Sequence, residues 1–260
     1  MVEIPHKAVV MSVKRFLWLL SPFFLHAQPV SGTGNVLHGL ISSTQNYFAS
    51  VSPQQNDVNR TGVQKSYYKN GKLKSEASYI GGVKEGLARV WHKNGTKKSE
   101  VVYRDGKKEG IERKWYTNGQ KKCEIPYKNG KRDGKELFWY KSGEKMLEYH
   151  FKEGKYHGKN ISWYRNGQIK EITHYDHGMK EGEHVYYSKQ GAYIERASYH
   201  HDKRDGLHEA WYPNGQKKIE HTFTNGVLDG IEKVWYPDGT LQYKAVCKMG
   251  KCDVSVTQDR

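Results

Sequence analysis

The sequence predicts an all-β fold, an elongated single-sheet antiparallel meander of about eight β-hairpin repeats of 24 residues each. Three observations predict it: glycines recur every 24 residues without an insertion, a tryptophan column keeps the same period, and most units carry an Asn-Gly or Asp-Gly pair. Self-similarity at a fixed period of this length is the signature of a repeat architecture. The first glycine column holds Gly71, Gly95, Gly119, Gly143, Gly167, Gly191, Gly215 and Gly239.

The composition narrows the class of protein. The 260 residues include 43 Lys and Arg against 28 Asp and Glu, for a formal net charge of +15. Only 36% of the residues are hydrophobic, yet 13% are aromatic, and the mean hydropathy is −0.90. Such a chain is too polar for a multi-pass membrane protein or a standard α/β enzyme, and too aromatic for a plain disordered tail.

Each repeat is predicted to hold one tight turn between two strands, because Asn-Gly and Asp-Gly supply the positive φ that a hairpin needs. Proline precedes this pair in two units, which favours a three-residue type I turn closed by a glycine bulge. With residues 117–119 as the loop, the predicted cross-strand pairs are Trp115 with Lys121, Arg113 with Cys123 and Ile111 with Ile125. Trp115 and Tyr127 then share one face, and a second turn from Lys128 to Gly134 leads to the next hairpin.

The N-terminal 27 residues read as a secretory signal peptide. A basic pair at Lys14 and Arg15 precedes an apolar run and a small residue at Ala27. The run is about half of the roughly 20 residues that a membrane-spanning helix needs. We therefore predict cleavage after Ala27 and a secreted or periplasmic protein. Residues 28–62 are either a linker or a short capping helix, residues 63–251 are the repeat array of about sixteen strands, and residues 252–260 are a C-terminal tail.

Two residue sets are candidate binding surfaces. The first is an aromatic stripe made of Trp91, Trp115, Trp139, Trp163, Trp211, Trp235, Tyr103, Tyr127, Tyr175 and Tyr199. The second is a basic edge after the first turn, represented by Lys97, Lys98, Lys121, Lys122, Lys217 and Lys218. A basic array can attract anionic lipid headgroups or acidic polysaccharide, whereas the alternative is a solvated edge that keeps sheets from pairing. Export disfavours nucleic acid as the partner.

No catalytic residues, metal site or cofactor are predicted. An enzyme needs a break in the repetition where particular groups converge, and no such break is found. Equivalent positions in adjacent units lie roughly 10 Å apart, too far for His150 and His174, or His184 and His208, to share one metal. Acidic residues precede the turn glycine in several units, and we expect them to accept turn hydrogen bonds: Glu85, Glu109, Asp133, Glu181, Asp205 and Asp229.

The three cysteines permit one local crosslink. Cys247 and Cys252 could close a small disulfide in an oxidising compartment, with Cys123 left free or intermolecular. Reduced cysteines are the alternative.

The repeat unit reads W-Y-x-N-G-x-x-K-x-E-x-x-Y-x-x-G-x-x-[ED]-G, as in Trp115 to Gly134. At these residues the chain resembles the bacterial variant of the MORN repeat, the family labelled YwqK-like antitoxin, over about residues 63–251. The resemblance implies a protein-interaction or membrane-associated scaffold. We therefore expect a non-enzymatic scaffold that binds a protein or an anionic envelope surface, with an antitoxin-like inhibitor or a cell-wall glycan-binding module as alternatives. The sequence leaves the oligomeric state open.

Overall fold

The computed structural model describes residues 60–257, with side chains to residue 254. The predictions for residues 1–27 and for the linker before residue 60 lie outside the described residues. The predicted all-β meander is confirmed, because each strand pairs antiparallel with strands next to it, or next but one, along the chain, in one open sheet of 19 strands. The strands are β1 Gly62–Tyr67, β2 Leu73–Ile80, β3 Val83–Trp91, β4 Lys97–Arg104, β5 Lys107–Trp115, β6 Lys121–Lys128, β7 Lys131–Arg132, β8 Gly134–Trp139, β9 Lys145–Lys152, β10 Lys155–Tyr156, β11 Gly158–Trp163, β12 Ile169–Asp176, β13 Met179–Tyr187, β14 Tyr193–His200, β15 Lys203–Trp211, β16 Lys217–Thr224, β17 Val227–Trp235, β18 Leu241–Lys248 and β19 Lys251–Thr257.

The first turn of each unit is the predicted three-residue loop. Between β5 and β6, the Gly119 N–H donates to the Tyr116 carbonyl at 3.0 Å and the Tyr116 N–H donates to the Gln120 carbonyl at 2.9 Å. Gly119 has φ +85°, the left-handed conformation that closes a type I turn with a glycine bulge. The same pair of bonds recurs at all eight first turns of the described chain.

The second turn is tighter than the predicted span from Lys128 to Gly134. Asn129 and Gly130 form a two-residue loop with φ values of 51° and 79°, and Lys128 pairs directly with Lys131. Positive φ at both loop residues defines the type I′ turn, whose twist matches that of the flanking strands. Glycines equivalent to Gly134 lie in the following strand, where the register shifts. At Gly230 of this column, an added Cβ would lie 2.9 Å from the Thr222 Cβ.

The register within the hairpin differs from the prediction by one residue. Trp115 does face Lys121, but Arg113 faces Glu124 instead of Cys123, and Ile111 faces Pro126 instead of Ile125. Lys122 has no partner in β5 and forms a bulge between the two parts of the ladder. Because a slip of one residue moves every following side chain to the other face, Trp115 and Tyr127 lie on opposite faces.

The sheet therefore has two distinct faces. The tyrosine face is defined by Tyr79, Tyr103, Tyr127, Phe151, Tyr175, Tyr199 and Phe223, and the tryptophan face by Trp91, Trp115, Trp139, Trp163, Tyr187, Trp211 and Trp235. Of the buried hydrophobic residues in the described chain, all but Val185 occupy positions of the tyrosine face: Val101, Cys123, Ile125, Phe138, Leu147, Phe151, Ala197, Ala245 and Cys247. The hydrophobic core therefore belongs to the tyrosine face.

The C-terminal end extends the sheet beyond the predicted array. Strand β19 pairs with β18 from Lys251 to Thr257, although residues 252–260 were expected to be a tail. One more two-residue turn, Met249–Gly250, returns the chain onto β18 and makes this pairing possible. No helix in the described part of the chain has the length and apolarity needed to cross a membrane.

Candidate functional site

Lysines and tryptophans alternate along the tryptophan face. Lys97 Nζ lies 4.9 Å from the ring centroid of Trp115, and Lys121 Nζ lies 5.1 Å from that of Trp139. Each lysine is the cross-strand partner of the tryptophan in its own unit, so it bridges two successive units. A cation over an aromatic face contributes about 0.5–1 kcal/mol at a partly exposed site. The same contact joins Lys145 to Trp163 and Lys217 to Trp235.

The predicted aromatic stripe is wrong in one respect, because its tryptophans and tyrosines do not lie together. Phe151, for example, packs against Tyr156 on the tyrosine face, and the centroids of the two rings lie 4.4 Å apart. The tryptophans are half-buried, four of them with a lysine over the ring, while Tyr103, Tyr127, Tyr175 and Tyr199 are half-buried on the other side. A partner that bound one set could not contact the other at the same point of the sheet.

Half of the predicted basic edge is already neutralised on the tryptophan face. Lys97 Nζ lies 2.8 Å from Glu100, and Lys121 Nζ lies 2.8 Å from Glu124. Lys217 contacts two carboxylates, those of Glu209 and Glu220, each at 2.7 Å. The positive charges of these three lysines are therefore neutralised by glutamates of the sheet, which leaves little charge for a partner to bind.

The edge formed by the first turns carries one set of the cations that remain, and another exposed set, which includes Lys107, Lys131 and Lys203, lies along the opposite edge, formed by the second turns. Nine basic side chains at the first turns are exposed and have no carboxylate within ion-pair distance among the described residues. We call this set the first-turn edge: Lys69, Lys72, Lys74, Lys93, Lys122, Lys141, Arg165, Lys189 and Lys218. It includes two of the predicted residues, Lys122 and Lys218, which lie over the Tyr116 and Tyr212 rings at 5.7 and 5.6 Å.

Side-chain hydrogen bonds hold successive first turns in line. The Tyr116 hydroxyl donates to the Trp139 carbonyl of the next unit at 2.7 Å, and the Asn118 amide donates to the Lys141 carbonyl at 3.2 Å. Equivalent tyrosine bonds occur at Tyr68, Tyr140, Tyr164 and Tyr212, and equivalent asparagine bonds at Asn94, Asn166 and Asn214. The first-turn edge is therefore a row of charges held at fixed spacing.

On the opposite edge, several cations fold back over the tyrosine face. Lys84 Nζ lies 4.9 Å from the Tyr103 ring centroid, and Lys108 Nζ lies 4.7 Å from that of Tyr127. Burial lowers the pKa of Lys84, and the nearby Lys108 lowers it further. The charges of these two lysines are therefore partly withdrawn from solvent, whereas Lys107 and Lys131 of the same second-turn edge are exposed.

Two glutamates in equivalent positions are buried on the tyrosine face. Glu112 is 3% exposed and lies 2.9 Å from Lys108 and 3.4 Å from Lys114. Burial alone would raise the pKa of Glu112, but the two lysines outweigh it and hold the pKa below its usual value. Glu136 is 0% exposed, and neither of its carboxylate oxygens has a hydrogen-bond partner among the described residues. Burial raises the pKa of Glu136 to about 7, although Arg132 lies 3.3 Å away.

Four of the six acidic residues expected to accept turn hydrogen bonds do so. The backbone N–H of Asn129 donates to Glu109 at 2.8 Å, and that of Asp105 donates to Glu85 at 2.8 Å. Asp133 and Glu181 accept equivalent bonds from the backbone N–H groups of the following second turns. Each carboxylate reaches across from one repeat to the next and so fixes the stacking of the second turns.

Most histidines of the described chain lie on the tyrosine face or at the second-turn edge, the exceptions being His92, His150 and His174. His184 and His208 lie on the tyrosine face, and burial lowers the pKa of both side chains. His157, Asp176 and His177 form one group at the second-turn edge, and Glu181, His200 and His201 form another. Within each group the potential ligand atoms lie within 4.8 Å of one another. Each group combines different repeat positions across a turn, so the distance of roughly 10 Å between like positions in adjacent units does not predict it.

The two C-terminal cysteines form a disulfide. Cys247 and Cys252 are cross-strand neighbours in β18 and β19, and their sulfur atoms lie 2.04 Å apart. The crosslink closes the last hairpin of the sheet. Cys123 is free and buried, and burial raises the pKa of its thiol to about 11.

The comparison with known families identifies the repeat. The family of the MORN repeat variant matches residues 60–80, 84–105, 108–129, 156–177, 204–225 and 228–246. The sequence matches no curated protein. The hairpins between the matched segments have the same first and second turns as the matched ones. The chain is therefore a MORN-repeat protein.

Proposed function

We propose that this protein is an exported, non-enzymatic repeat scaffold that binds an anionic envelope surface along its first-turn edge. The observation that carries the proposal is the row of nine exposed cations without carboxylate partners. A folded protein gains little stability from such a row, since like charges repel. An anionic partner would relieve that repulsion.

The spacing of the row suits an extended surface better than a small ligand. Each repeat adds two strands, so successive turns lie roughly 10 Å apart. This spacing is close to the Debye length of about 10 Å at 0.1 M salt, so the cations act as separate contacts and their contributions add. A lysine near an anionic membrane surface contributes about 1 kcal/mol. Several units together would give useful affinity without any concave pocket.

The two faces of the sheet are less suited to this role. The lysines of the tryptophan face are paired with glutamates, and Lys84 and Lys108 fold over tyrosine rings. The hairpins also repeat the same turns and strands. MORN-repeat arrays generally serve as scaffolds without catalysis. The proposal therefore assigns binding to the first-turn edge and stability to the two faces.

Two variants of equal charge test the proposal. The edge variant changes Lys93, Lys122, Lys141 and Lys218 to Gln, and the matched control changes the paired lysines Lys97, Lys121, Lys145 and Lys217 to Gln. Adsorption to vesicles that contain anionic lipid should weaken by roughly 1 kcal/mol for each edge lysine removed, and much less in the control. Binding by the parent should also fall steeply between 0.1 M and 1 M salt, as the Debye length shrinks from about 10 Å to about 3 Å.

Sedimentation with phosphatidylserine vesicles, with phosphatidylcholine vesicles and with an acidic polysaccharide measures these changes. Selective binding to the polysaccharide would identify glycan as the anionic surface. Equal losses in the two variants would show that only net charge matters, and no binding to any of the three would refute the proposal.

Export is the second part of the proposal, and it rests on the basic pair and apolar run that precede Ala27. Mass spectrometry of the protein from its native host should give an N-terminus at or near Gln28. An intact Met1 or Met11 in a cytosolic protein would contradict export. It would favour the alternative role of a YwqK-like antitoxin.

A further inference from the structure

Three side chains converge where strands β10, β11 and β12 meet the second-turn edge. His157 Nδ1 lies 3.0 Å from Asp176 Oδ1, and His177 Nδ1 lies 2.8 Å from the same oxygen. The two imidazole rings are 5.3 Å apart between centroids. Two nitrogens and one carboxylate oxygen therefore surround a single point at the surface of the sheet.

The site is a departure from the repeat. The position of His157 holds an acidic residue in other units, such as Glu109 and Asp133, where that residue accepts a turn hydrogen bond. The position of His177 holds Asn129 or Asn225 in two other units, both in the same left-handed conformation. The turn can thus be built without either histidine, and their presence calls for another explanation.

The orientation of His157 supplies an independent indication. Its Nδ1 atom is buried and makes no hydrogen bond among the described residues, although Asp176 lies close by. Asp176 is near enough for an ion pair but is not placed to form a hydrogen bond, and a buried nitrogen without a hydrogen bond costs free energy. A metal ion bound between His157 and Asp176 would provide that nitrogen with a partner.

We propose that His157, Asp176 and His177 bind one divalent transition-metal ion of the zinc type. Imidazole nitrogen suits Zn²⁺, Cu²⁺ and Ni²⁺, whereas Mg²⁺ and Ca²⁺ prefer sets of six or more oxygens. Three protein ligands leave a fourth position of a tetrahedral ion for water or for a group from a partner. His177 and Asp176 are exposed, so an ion can reach the site without opening the sheet.

A second group of the same kind lies one repeat further along, but its side chains are already committed to each other. Glu181 Oε1 lies 2.8 Å from His200 Nδ1, and its other oxygen accepts the His201 backbone N–H at 3.0 Å. His200 Nε2 lies 2.8 Å from His201 Nδ1. A metal ion would have to break these bonds, so the first group is the stronger site and the second is its natural comparison.

The repeats themselves supply substitutions that keep the turn. The site variant combines His157→Glu with His177→Asn, the residues that other units use at these positions. The control variant combines His200→Lys with His201→Asn, which alters the second group in the same way, since Lys128 and Asn129 stand there in an earlier unit. Circular dichroism of the full chain without a histidine tag checks that both variants retain the parent's fold.

Calorimetric titration of metal-free protein with Zn²⁺, and absorption spectra with Co²⁺, measure binding. The parent and the control should bind one ion at the stronger site and show the visible Co²⁺ bands of a four-coordinate ion. The site variant should bind at least about 100-fold more weakly, because loss of a direct ligand costs no less than loss of a supporting residue. These readouts do not depend on vesicle binding.

Three outcomes would overturn the proposal. The parent could fail to bind Zn²⁺ in the presence of physiological magnesium, or the site variant could bind as tightly as the parent. Loss of binding in the control alone would place the ion at Glu181, His200 and His201 instead.

Discussion

The two faces of this sheet deal with charge in opposite ways. On the tyrosine face, Glu112 and Glu136 are buried at 3% and 0% exposure among aromatic rings and aliphatic side chains. On the tryptophan face, Glu100 and Glu124 are partly exposed, and each pairs with a lysine that also covers a tryptophan. Glu209, on the tryptophan face, is 4% exposed but is also paired, with Arg196 and Lys217. The tyrosine face therefore holds most of the protein interior, whereas the tryptophan face is mainly an ordered surface of paired charges.

This difference teaches how a single-layer sheet is stabilised without a second layer of structure. One face concentrates the hydrophobic residues of the described chain, and long basic side chains cover it from the second-turn edge. The tryptophan face is stabilised by many ion pairs and cation–π contacts, each of which contributes little free energy in water. We expect mutations on the tyrosine face to cost more, and three predictions follow that comparison from the largest effect to the smallest.

The largest effect is expected from the same substitution placed on each face of one hairpin. Ile125 is 5% exposed on the tyrosine face, whereas Ile111 is 44% exposed on the tryptophan face. Ile125→Ala should lower the free energy of unfolding by about 3 kcal/mol, the scale for truncating a buried aliphatic side chain. Ile111→Ala should cost less than about 1 kcal/mol, because most of its surface is already in water. Denaturant unfolding measures both, and equal losses would refute the assignment of the core to one face.

The second prediction concerns how the free energy of unfolding depends on pH, and it compares Glu136 and Glu112 of the tyrosine face. The folded-state pKa of Glu136 is raised to about 7, so the carboxyl is neutral when folded at mildly acid pH and must ionise at a cost above neutrality. Its contribution to stability is therefore full below the unfolded pKa near 4.5 and is lost as pH rises through about 7. Glu136→Gln should leave stability nearly unchanged at pH 4 and raise it by roughly 2 kcal/mol at pH 8.

Glu112→Gln is the control for this experiment, because Lys114 and Lys108 lower the pKa of Glu112 despite its burial. Glu112 stabilises the fold in its charged form, so its replacement should destabilise the protein at pH 8 and do so less as the pH falls. Chemical unfolding of both variants from pH 4 to pH 8 measures the two slopes. Slopes of the same sign would contradict the contrast between the glutamates.

The sequence was sufficient for the fold and for the first turn of each unit, whereas the second turn is shorter than predicted. The period of the glycines predicted the repeat. The Asn-Gly sequences, together with the proline that precedes one of them at residue 213, predicted the three-residue loop. The turn hydrogen bonds accepted by Glu85, Glu109, Asp133 and Glu181 were also predicted. Turn chemistry depends on a few adjacent residues, and a single sequence contains all of that information.

The faces could not be predicted in the same way. Lys122 forms a bulge, yet lysine has no special conformational preference that would mark it, and the neighbouring Lys121 is identical in type. A strand alternates with period two, so one unmarked bulge reversed the predicted face of Trp115 relative to Tyr127. The group around Asp176 was missed for a related reason, since the second turn brings together residues that differ in repeat position.

The smallest effect tests the tryptophan face itself. Trp139 is half-buried under Lys121, whose Nζ also lies 2.8 Å from Glu124. Trp139→Ala should cost about 1.5 kcal/mol, well below the 3–5 kcal/mol expected for a fully buried tryptophan. A double-mutant cycle with Lys121→Met should assign about 0.5 kcal/mol of that loss to the cation–π contact, since Met keeps the length of the side chain but not its charge. Denaturant melts of the four proteins measure the cycle at low and high salt. A loss above about 3 kcal/mol for Trp139→Ala, with no coupling to Lys121, would mean that the tryptophan face is a second core.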